Sequence, residues 1–364
     1  MSEIAHPRDT LDLTGHAQAE KDFLDAWNSG RLAHAWLLTG PKGIGKATLA
    51  YRIARFALSG GGDGGGLFGG APQNLDVAAG HPVVHQVSAQ GHRDLKVVER
   101  GFSDDKKTKL RSEIVIDDVR KIGDLFHQTA DAGWRVVLID SADEMNRNAA
   151  NAVLKILEEP PRKALIIMVS HSPGRLLPTI RSRCRRLALN PLGHDTICQL
   201  LARHRPELTD AELAALANLG EGSLGKALAL AAEGGLELYQ ELVGVLSALP
   251  RLDVPALHGF CERVARPDAD AAWRTVTELL VWWLARLVRA GGRQGQGMAE
   301  VVPGEAGLMG RLLAAAGLDR WLELWEKTGA LFARTDAVNL DRKQALLTAF
   351  LALERLSRAA HPAR

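Results

Sequence analysis

A glycine-rich segment of the sequence has the residue types and spacing of a phosphate-binding loop. It lies between a short apolar run, Ala35 to Thr39, and a stretch with helical periodicity, and it reads Gly40-Pro41-Lys42-Gly43-Ile44-Gly45-Lys46. Glycines let backbone N–H groups surround a phosphate, the following helix N-terminus adds positive potential, and the lysine reaches the outer phosphates. The pattern predicts a nucleotide site formed by Gly40, Gly43, Gly45 and Lys46. The alternative is a structural loop that no longer binds nucleotide.

The residue after the loop lysine has no group that can bind a metal ion. Phosphate loops of this pattern place Ser or Thr there, because the hydroxyl ligates Mg²⁺, and this sequence has Ala47. Thr48 carries a hydroxyl, but one further residue along a helix turns it about 100° away. The sequence therefore predicts a degenerate site, extended to Thr48, that binds ATP or ADP weakly at most.

An acid at the end of a second apolar run is typical of the carboxylate that holds Mg²⁺ through water in such a site. The run from Trp134 to Ile139 is followed by Asp140. Active ATPases of this type usually have Glu next, to polarise the attacking water, and here that residue is Ser141. Asp143 and Glu144 follow, on a predicted turn that we expect to face elsewhere. With neither group in place, the sequence predicts little or no ATP hydrolysis.

An arginine cluster follows the last apolar run of the first half. Five arginines and no Asp or Glu lie between His171 and His194. One interpretation of the cluster is a solvated basic surface. The other is functional: an arginine that reaches a neighbour's phosphate, or a contact with the DNA backbone. No base is marked near Cys184, so a buried, unreactive thiol is expected there rather than a nucleophile.

Composition and charge exclude several classes of protein. The 364 residues include 45 Lys+Arg and 43 Asp+Glu, a formal net charge of +2, so any contact with DNA must be local. The three cysteines form no C-x-x-C pair, and His81, His85 and His92 lie near no thiol, which predicts that no zinc or other metal is bound. With a polar N-terminus and no long apolar run, we expect no signal peptide, no membrane contact and a cytoplasmic location.

The elements that would position these residues alternate between strand and helix in the first half. Apolar runs predict buried strands at 35–39, 134–139 and 164–169, with further strands at 82–87 and 114–116. Helical periodicity follows the loop and returns from Asn148 to Glu158, before two prolines. Buried strands separated by helices indicate an α/β fold, a parallel sheet with helices on both faces.

Strand patterns end near residue 191, and the rest of the chain is rich in Ala and Leu with helical periodicity. A helical stripe of apolar residues predicts either a packed helical core or a subunit interface, and consists of Trp273, Val276, Leu280, Trp283 and Leu287. The glycine-rich segment 60–70 is predicted to be a flexible insertion.

Several segments together resemble the AAA+ clamp-loader subunits of bacterial DNA polymerase III. They are the phosphate loop, the residues before it, a helix ending in Leu-Glu-Glu-Pro-Pro, and a Ser-Arg-Cys triplet, namely Arg31–Ala35, Asn148–Pro161 and Ser182-Arg183-Cys184. The resemblance covers residues 15–230, and Asn339–Leu347 looks like the family's final helix. It implies a RecA-like AAA+ domain over 1–190, a small helical lid over 191–233 and an all-helical collar over 234–364.

Motor subunits of this family, the gamma/tau type, are expected to carry four features. These are a loop Thr or Ser, an Asp-Glu pair, a cysteine zinc module and an arginine in a Gly-Ser-x-Arg turn of the lid. This sequence has Ala47, Ser141, no cysteine between residues 50 and 180, and Gly222-Ser223-Leu224-Gly225. All four departures resemble the non-motor, delta-prime type.

The resemblance implies a subunit that helps load the sliding clamp onto primed DNA, with Arg183 as an arginine finger toward a neighbouring ATPase. The implied partners are gamma/tau and delta subunits, the clamp indirectly, and primed DNA within the complex. The DNA polymerase holoenzyme extends DNA, but we expect no polymerase site in this chain. Two alternatives stay open. One is an active ATPase, either gamma/tau or another AAA+ replication or repair enzyme, and the other is a purely structural collar protein.

Overall fold

The computed structural model describes residues 5–62, 70–103, 110–127, 133–292 and 299–358. The chain divides into two units, Met1–Ile197 with Gly222–Gly225, and Cys198–Glu221 with Lys226–Arg364. The boundaries at 190 and 233 remain predictions. Most of segment 60–70, predicted to be a flexible insertion, lies outside the described residues.

The first unit alternates helices and strands along the chain. Its elements are α1 (Ala17–Asn28), β1 (Ala35–Thr39), α2 (Lys46–Leu58), α3 (Pro82–Ser88), β2 (Leu95–Val98), α4 (Ile116–His127), β3 (Arg135–Ile139), α5 (Arg147–Glu158), β4 (Ala164–Ser170), α6 (Pro178–Arg183) and β5 (Arg185–Ala188). The strands form one sheet in the order β2-β3-β4-β1-β5, and all neighbouring strands are parallel. A parallel sheet whose strands alternate with helices is the α/β fold that the apolar runs predict.

Helices cover both faces of the sheet, because successive strand residues point to opposite faces. Trp36 and Leu38 of β1 pack in one core cluster with residues of α1, α2 and α3. Ala35 and Leu37 pack in the other, with residues of α4, α5 and α6. The buried strands therefore hold the loop after β1 between two packed layers.

Two predicted strands are wrong. Residues 82–87 form α3, because Pro82 suits the first helical position and the His81 ring accepts a hydrogen bond from Val83 N–H at the N-cap. Residues 114–116 do not form a strand. Ile114 makes an isolated β-bridge to Met145, and α4 begins at Ile116.

The second unit is helical throughout the residues that the structure describes. Its helices are α7 (His194–His204), which begins in the first unit, α8 (Asp210–Gly220), α9 (Leu224–Ala232), α10 (Gly235–Ser247), α11 (Val254–Val264), α12 (Asp270–Gly292), α13 (Glu305–Ala315), α14 (Leu318–Val338) and α15 (Arg342–Arg358). Within the described ranges, every helix is too short or too polar to cross a lipid bilayer.

The apolar stripe that begins at Trp273 lies on α12. All five of its side chains are fully buried, and α12 packs against α10 and α14. Of the two interpretations of this stripe, the packed helical core is confirmed. The stripe is therefore not a free surface for another subunit.

Candidate functional site

The predicted phosphate loop lies at the carboxyl end of β1, directly before α2. Gly40 has φ +146°, and a Cβ at this position would lie 2.4 Å from the carbonyl oxygen of Leu189. Only glycine allows this close approach, since any side chain would collide with the backbone after β5. The loop is thus packed against the carboxyl end of the sheet and leads into the N-terminus of α2, whose backbone N–H groups favour an anion.

Donors from three parts of the first unit bind the backbone carbonyls of the loop. The Lys46 ammonium donates to Gly40 O at 2.8 Å and to Pro41 O. His16 Nε2 donates to Ile44 O at 2.6 Å. The carbonyls of Lys42 and Gly43 accept hydrogen bonds from residues of the 222–225 turn. These bonds fix the loop in one conformation.

The 222–225 turn contacts the loop directly. Ser223 Oγ donates to Lys42 O at 2.8 Å, and Gly225 N–H donates to Gly43 O at 2.9 Å. A Cβ at position 225 would lie 2.9 Å from Gly43 Cα. Glycine at the position where the motor subunits are expected to carry an arginine is therefore what lets the turn close onto the loop.

Lys46 is almost completely buried, with 2% of its surface exposed. Burial lowers the pKa of Lys46 to about 8, against the opposing attraction of Asp140 and Asp143. The same burial raises the pKa of Asp140 above its ordinary value. The structure therefore brings Lys46 and Asp140 into one electrostatic environment, as the sequence predicts, and disfavours a full charge on either.

Asp143 lies closer to this site than expected. Its Oδ1 accepts a hydrogen bond from His171 N–H at 2.9 Å, and its charge acts on Lys46. The expectation that it faces elsewhere is wrong, because a 3₁₀ turn over Ala142–Glu144 brings it back toward β4. Glu144 does turn away, and its carboxylate pairs with Arg100 at 2.8 Å.

Ser141 and His171 complete the polar edge beside the loop. Ser141 has the left-handed conformation, φ +63°, and its Oγ lies 3.2 Å from His171 Nε2. Burial, followed by the charge of Lys46, lowers the pKa of His171 to about 4. The imidazole is therefore neutral at pH 7 and adds no charge to the site.

These residues fit a phosphate better than they fit a metal ion. Ala47 offers a methyl group on the first turn of α2, and Thr48 forms no side-chain hydrogen bond with a described residue. Among the residues that the structure describes, no group of three or more His, Cys, Asp or Glu is placed to hold a metal ion. The arrangement can bind an anion at the helix N-terminus, but it lacks the hydroxyl and the glutamate that place Mg²⁺ and water.

Arg183 lies at the opposite edge of the sheet. Strand β5 is parallel to β1, with Arg185 beside Trp36 and Ala188 beside Thr39. Arg183 precedes the amino end of β5, whereas the loop follows the carboxyl end of β1. Strands rise about 3.3 Å per residue, so more than about 10 Å separates Arg183 from its own phosphate loop.

The Arg183 side chain is partly exposed and held by two acceptors. Its Nη1 donates to Thr179 O at 3.1 Å, and its Nη2 lies 2.8 Å from Glu158 Oε1. The side chains of Arg183 and Glu158 are 37% and 50% exposed. Ser182 also donates to Thr179 O, at 3.1 Å, so the first two residues of the Ser-Arg-Cys triplet close the last turn of α6.

The other residues of the arginine cluster have different surroundings. Arg185 lies over the Trp36 ring, 4.8 Å from its centroid, and Arg186 Nε donates to Thr39 Oγ1 at 3.0 Å. These two belong to β5 and not to the helix, which ends at Arg183. Burial raises the pKa of the Cys184 thiol to about 12, as expected for an unreactive cysteine.

Comparisons with known proteins match the part of the chain that holds the loop and Arg183. The family model described as DNA polymerase III, delta subunit, matches residues 15–193. The chain is 36% identical over 225 residues to DNA polymerase III subunit delta' of Pseudomonas aeruginosa, which covers 62% of this chain and 63% of that protein. Part of the chain is therefore similar to delta-prime subunits of DNA polymerase III.

Further relatives include both types of subunit. Subunit delta' of Escherichia coli is 32% identical over 211 residues, 56% of each protein. Subunit gamma of Buchnera aphidicola is 24% identical over 255 residues, 68% of this chain and 64% of that protein. The chain spans less than two thirds of the length of each of these curated relatives.

The sequence did not indicate the contacts of three residues: His171, Ser223 and Glu158. His171 follows β4 and Ser223 lies in the predicted lid turn, so their positions in the motifs could have indicated contact with the loop. Glu158 lies in the Leu-Glu-Glu-Pro-Pro segment, but nothing in that motif indicates a pairing with Arg183, because the contact joins two separate helices.

Proposed function

We propose that this chain is a non-motor AAA+ subunit of the DNA polymerase III clamp-loader complex. It helps load the sliding clamp onto primed DNA by supplying Arg183 as an arginine finger to the ATP site of a neighbouring motor subunit. The observation that carries the proposal is the position of Arg183 at the sheet edge away from its own loop. A guanidinium in that place serves a phosphate on another molecule and not one in its own chain.

The chemistry of the guanidinium supports this role. Arginine presents fixed, permanently charged donors that match the charge spread over a phosphoryl group in the transition state. Arg183 is partly exposed and hydrogen-bonded, so its donors are oriented before a neighbour arrives. Arg185 and Arg186 lie on β5 against Trp36 and Thr39, whereas Arg183 lies at the end of α6.

The chain's own phosphate site supports a non-motor role. Ala47 and Ser141 stand where hydrolysis needs a metal-binding hydroxyl and a carboxylate, and Lys46 is engaged by the loop carbonyls. The site therefore holds nucleotide weakly at most. The partners we propose are gamma/tau and delta subunits, with the clamp and primed DNA contacted through the complex.

Clamp loading by a reconstituted complex tests this function. We expect Arg183→Ala and Arg183→Lys to assemble like the wild type by size-exclusion chromatography and to load clamp onto primed DNA more slowly. Lysine should not rescue loading, because it is a point charge without the planar donor set. If both variants assemble and load the clamp at the wild-type rate, Arg183 is not an arginine finger.

A further inference from the structure

We propose that Glu158 is a positioning residue for Arg183, and that its carboxylate orients the guanidinium toward the phosphate of the neighbouring subunit. This inference rests on the proposed function of Arg183. It gives the Leu-Glu-Glu-Pro-Pro segment a role in the trans site, although that segment lies on a different helix from the Ser-Arg-Cys triplet.

The two side chains meet where two helices end. Glu158 is the last residue of α5 and Arg183 the last of α6, and the two helices pack against each other. His34 Nε2, just before β1, lies 3.1 Å from Leu157 O and so ties the end of α5 to the amino edge of the sheet. Pro160 and Pro161 follow and prevent the helix from continuing. Glu158 is therefore fixed at the same edge as Arg183.

The two contacts orient the Arg183 guanidinium and leave some of its N–H donors for another acceptor. Arginine has five N–H donors in a planar group. Thr179 O takes one donor from within α6, and Glu158 takes one from the neighbouring helix. Because the two acceptors lie on different elements, they restrict both the position and the rotation of the group. Three donors remain for a phosphate of the neighbouring subunit.

The location of Glu158 is unfavourable unless a cation is present. A carboxylate at a helix C-terminus is repelled by the negative end of the helix dipole, and α5 ends in Glu158 with Glu159 at its C-cap. Arg183 offsets this repulsion at Glu158. A partly exposed ion pair contributes little to folding stability, so the pair acts mainly on where the guanidinium points.

Glu159 offers a matched control on the same helix end. It is exposed and forms no ion pair with any described residue. Glu158→Ala, Glu158→Gln and Glu159→Ala can be compared in the full reconstituted complex, with kcat and KM for ATP measured without DNA. We expect Glu158→Ala to lower kcat at the affected site by up to about fivefold, with KM unchanged. Glu158→Gln keeps a hydrogen-bond acceptor, so its kcat should lie between those of Glu158→Ala and the wild type. The kcat of Glu159→Ala should match the wild type.

The double variant separates this inference from the function on which it rests. In the Arg183→Ala background, Glu158→Ala should have no further effect, since the group that it orients is gone. If Arg183→Ala alone leaves turnover unchanged, the finger itself is wrong. If Arg183→Ala slows turnover but Glu158→Ala behaves like Glu159→Ala, or adds to Arg183→Ala, only the role of Glu158 is wrong. Loss of assembly by both Glu158 variants would also refute it, because Glu158 would then be structural.

Discussion

His171 and Lys46 share surroundings that oppose positive charge. Burial lowers the pKa of both side chains, and the charge of Lys46 lowers the pKa of His171 further. The two groups therefore determine how the polar edge beside the loop responds to pH.

His171 should titrate far below an ordinary histidine. Its pKa is about 4 in the folded chain, against an ordinary histidine pKa of 6.5. The unfolded chain then binds more protons between these values, so the stability contributed by neutral His171 is full above pH 6.5 and is lost as the pH falls toward 4. Titration of its ring resonances by NMR, assigned with His171→Gln, checks this. A midpoint near 6.5 would show that the imidazole is solvated.

The isolated chain should not turn over ATP appreciably. Ala47 cannot ligate Mg²⁺ and Ser141 cannot polarise water as a carboxylate does. Steady-state phosphate release by the purified chain, with and without Mg²⁺, measures this directly. Turnover that disappears in Lys46→Ala would show an active site in this chain and favour the motor-type alternative.

At the scale of elements, the 222–225 turn and the phosphate loop fit together without space for a side chain. We expect Gly225→Ala to destabilise the first unit by about 1–3 kcal/mol, because the new methyl overpacks against Gly43. Amide exchange of residues 41–45 should increase. Gly244→Ala is the control, since an added Cβ there meets nothing within 4 Å. Equal exchange in both variants would contradict the close fit.

In the helical unit, a buried ion pair joins α12 to α13. Arg286 Nη1 lies 2.9 Å from Glu305 Oε1, and their side chains are 7% and 1% exposed. Tyr239 donates to the same carboxylate from α10. Removing one partner leaves a buried charge, so Glu305→Ala should lower the free energy of unfolding by about 3–5 kcal/mol.

The exposed pair of Glu323 and Lys327 provides the comparison for Glu305. Its atoms lie 2.6 Å apart, but both side chains are more than half exposed. Glu323→Ala should change stability far less than Glu305→Ala, because water screens the exposed pair. Chemical denaturation of the two variants measures the difference, and similar losses would contradict the importance of burial.

Across the whole molecule, local patterns were predictable and long-range contacts were not. The loop, Asp140 and α5 follow from short motifs and apolar runs that dictate their own structure. Strand β5 was not predicted, because only Leu187 of its four residues is buried and the strand therefore contains no apolar run. The contacts of Ser223 with Lys42 and of Glu158 with Arg183 join distant segments, and only the fold brings them together.

The proposal that Arg183 acts at the ATP site of a neighbouring subunit is tested most directly by comparing four arginine variants. In a reconstituted clamp loader without DNA, Arg183→Ala should lower ATP turnover selectively, whereas Arg181→Ala, Arg185→Ala and Arg186→Ala should not. Arginine fingers contribute roughly 10³–10⁵ in rate at their own site, and the total falls less because the other motor subunits keep theirs. If all four variants turn over ATP like the wild type and lose DNA affinity alike, the cluster is a DNA contact and Arg183 is not a finger.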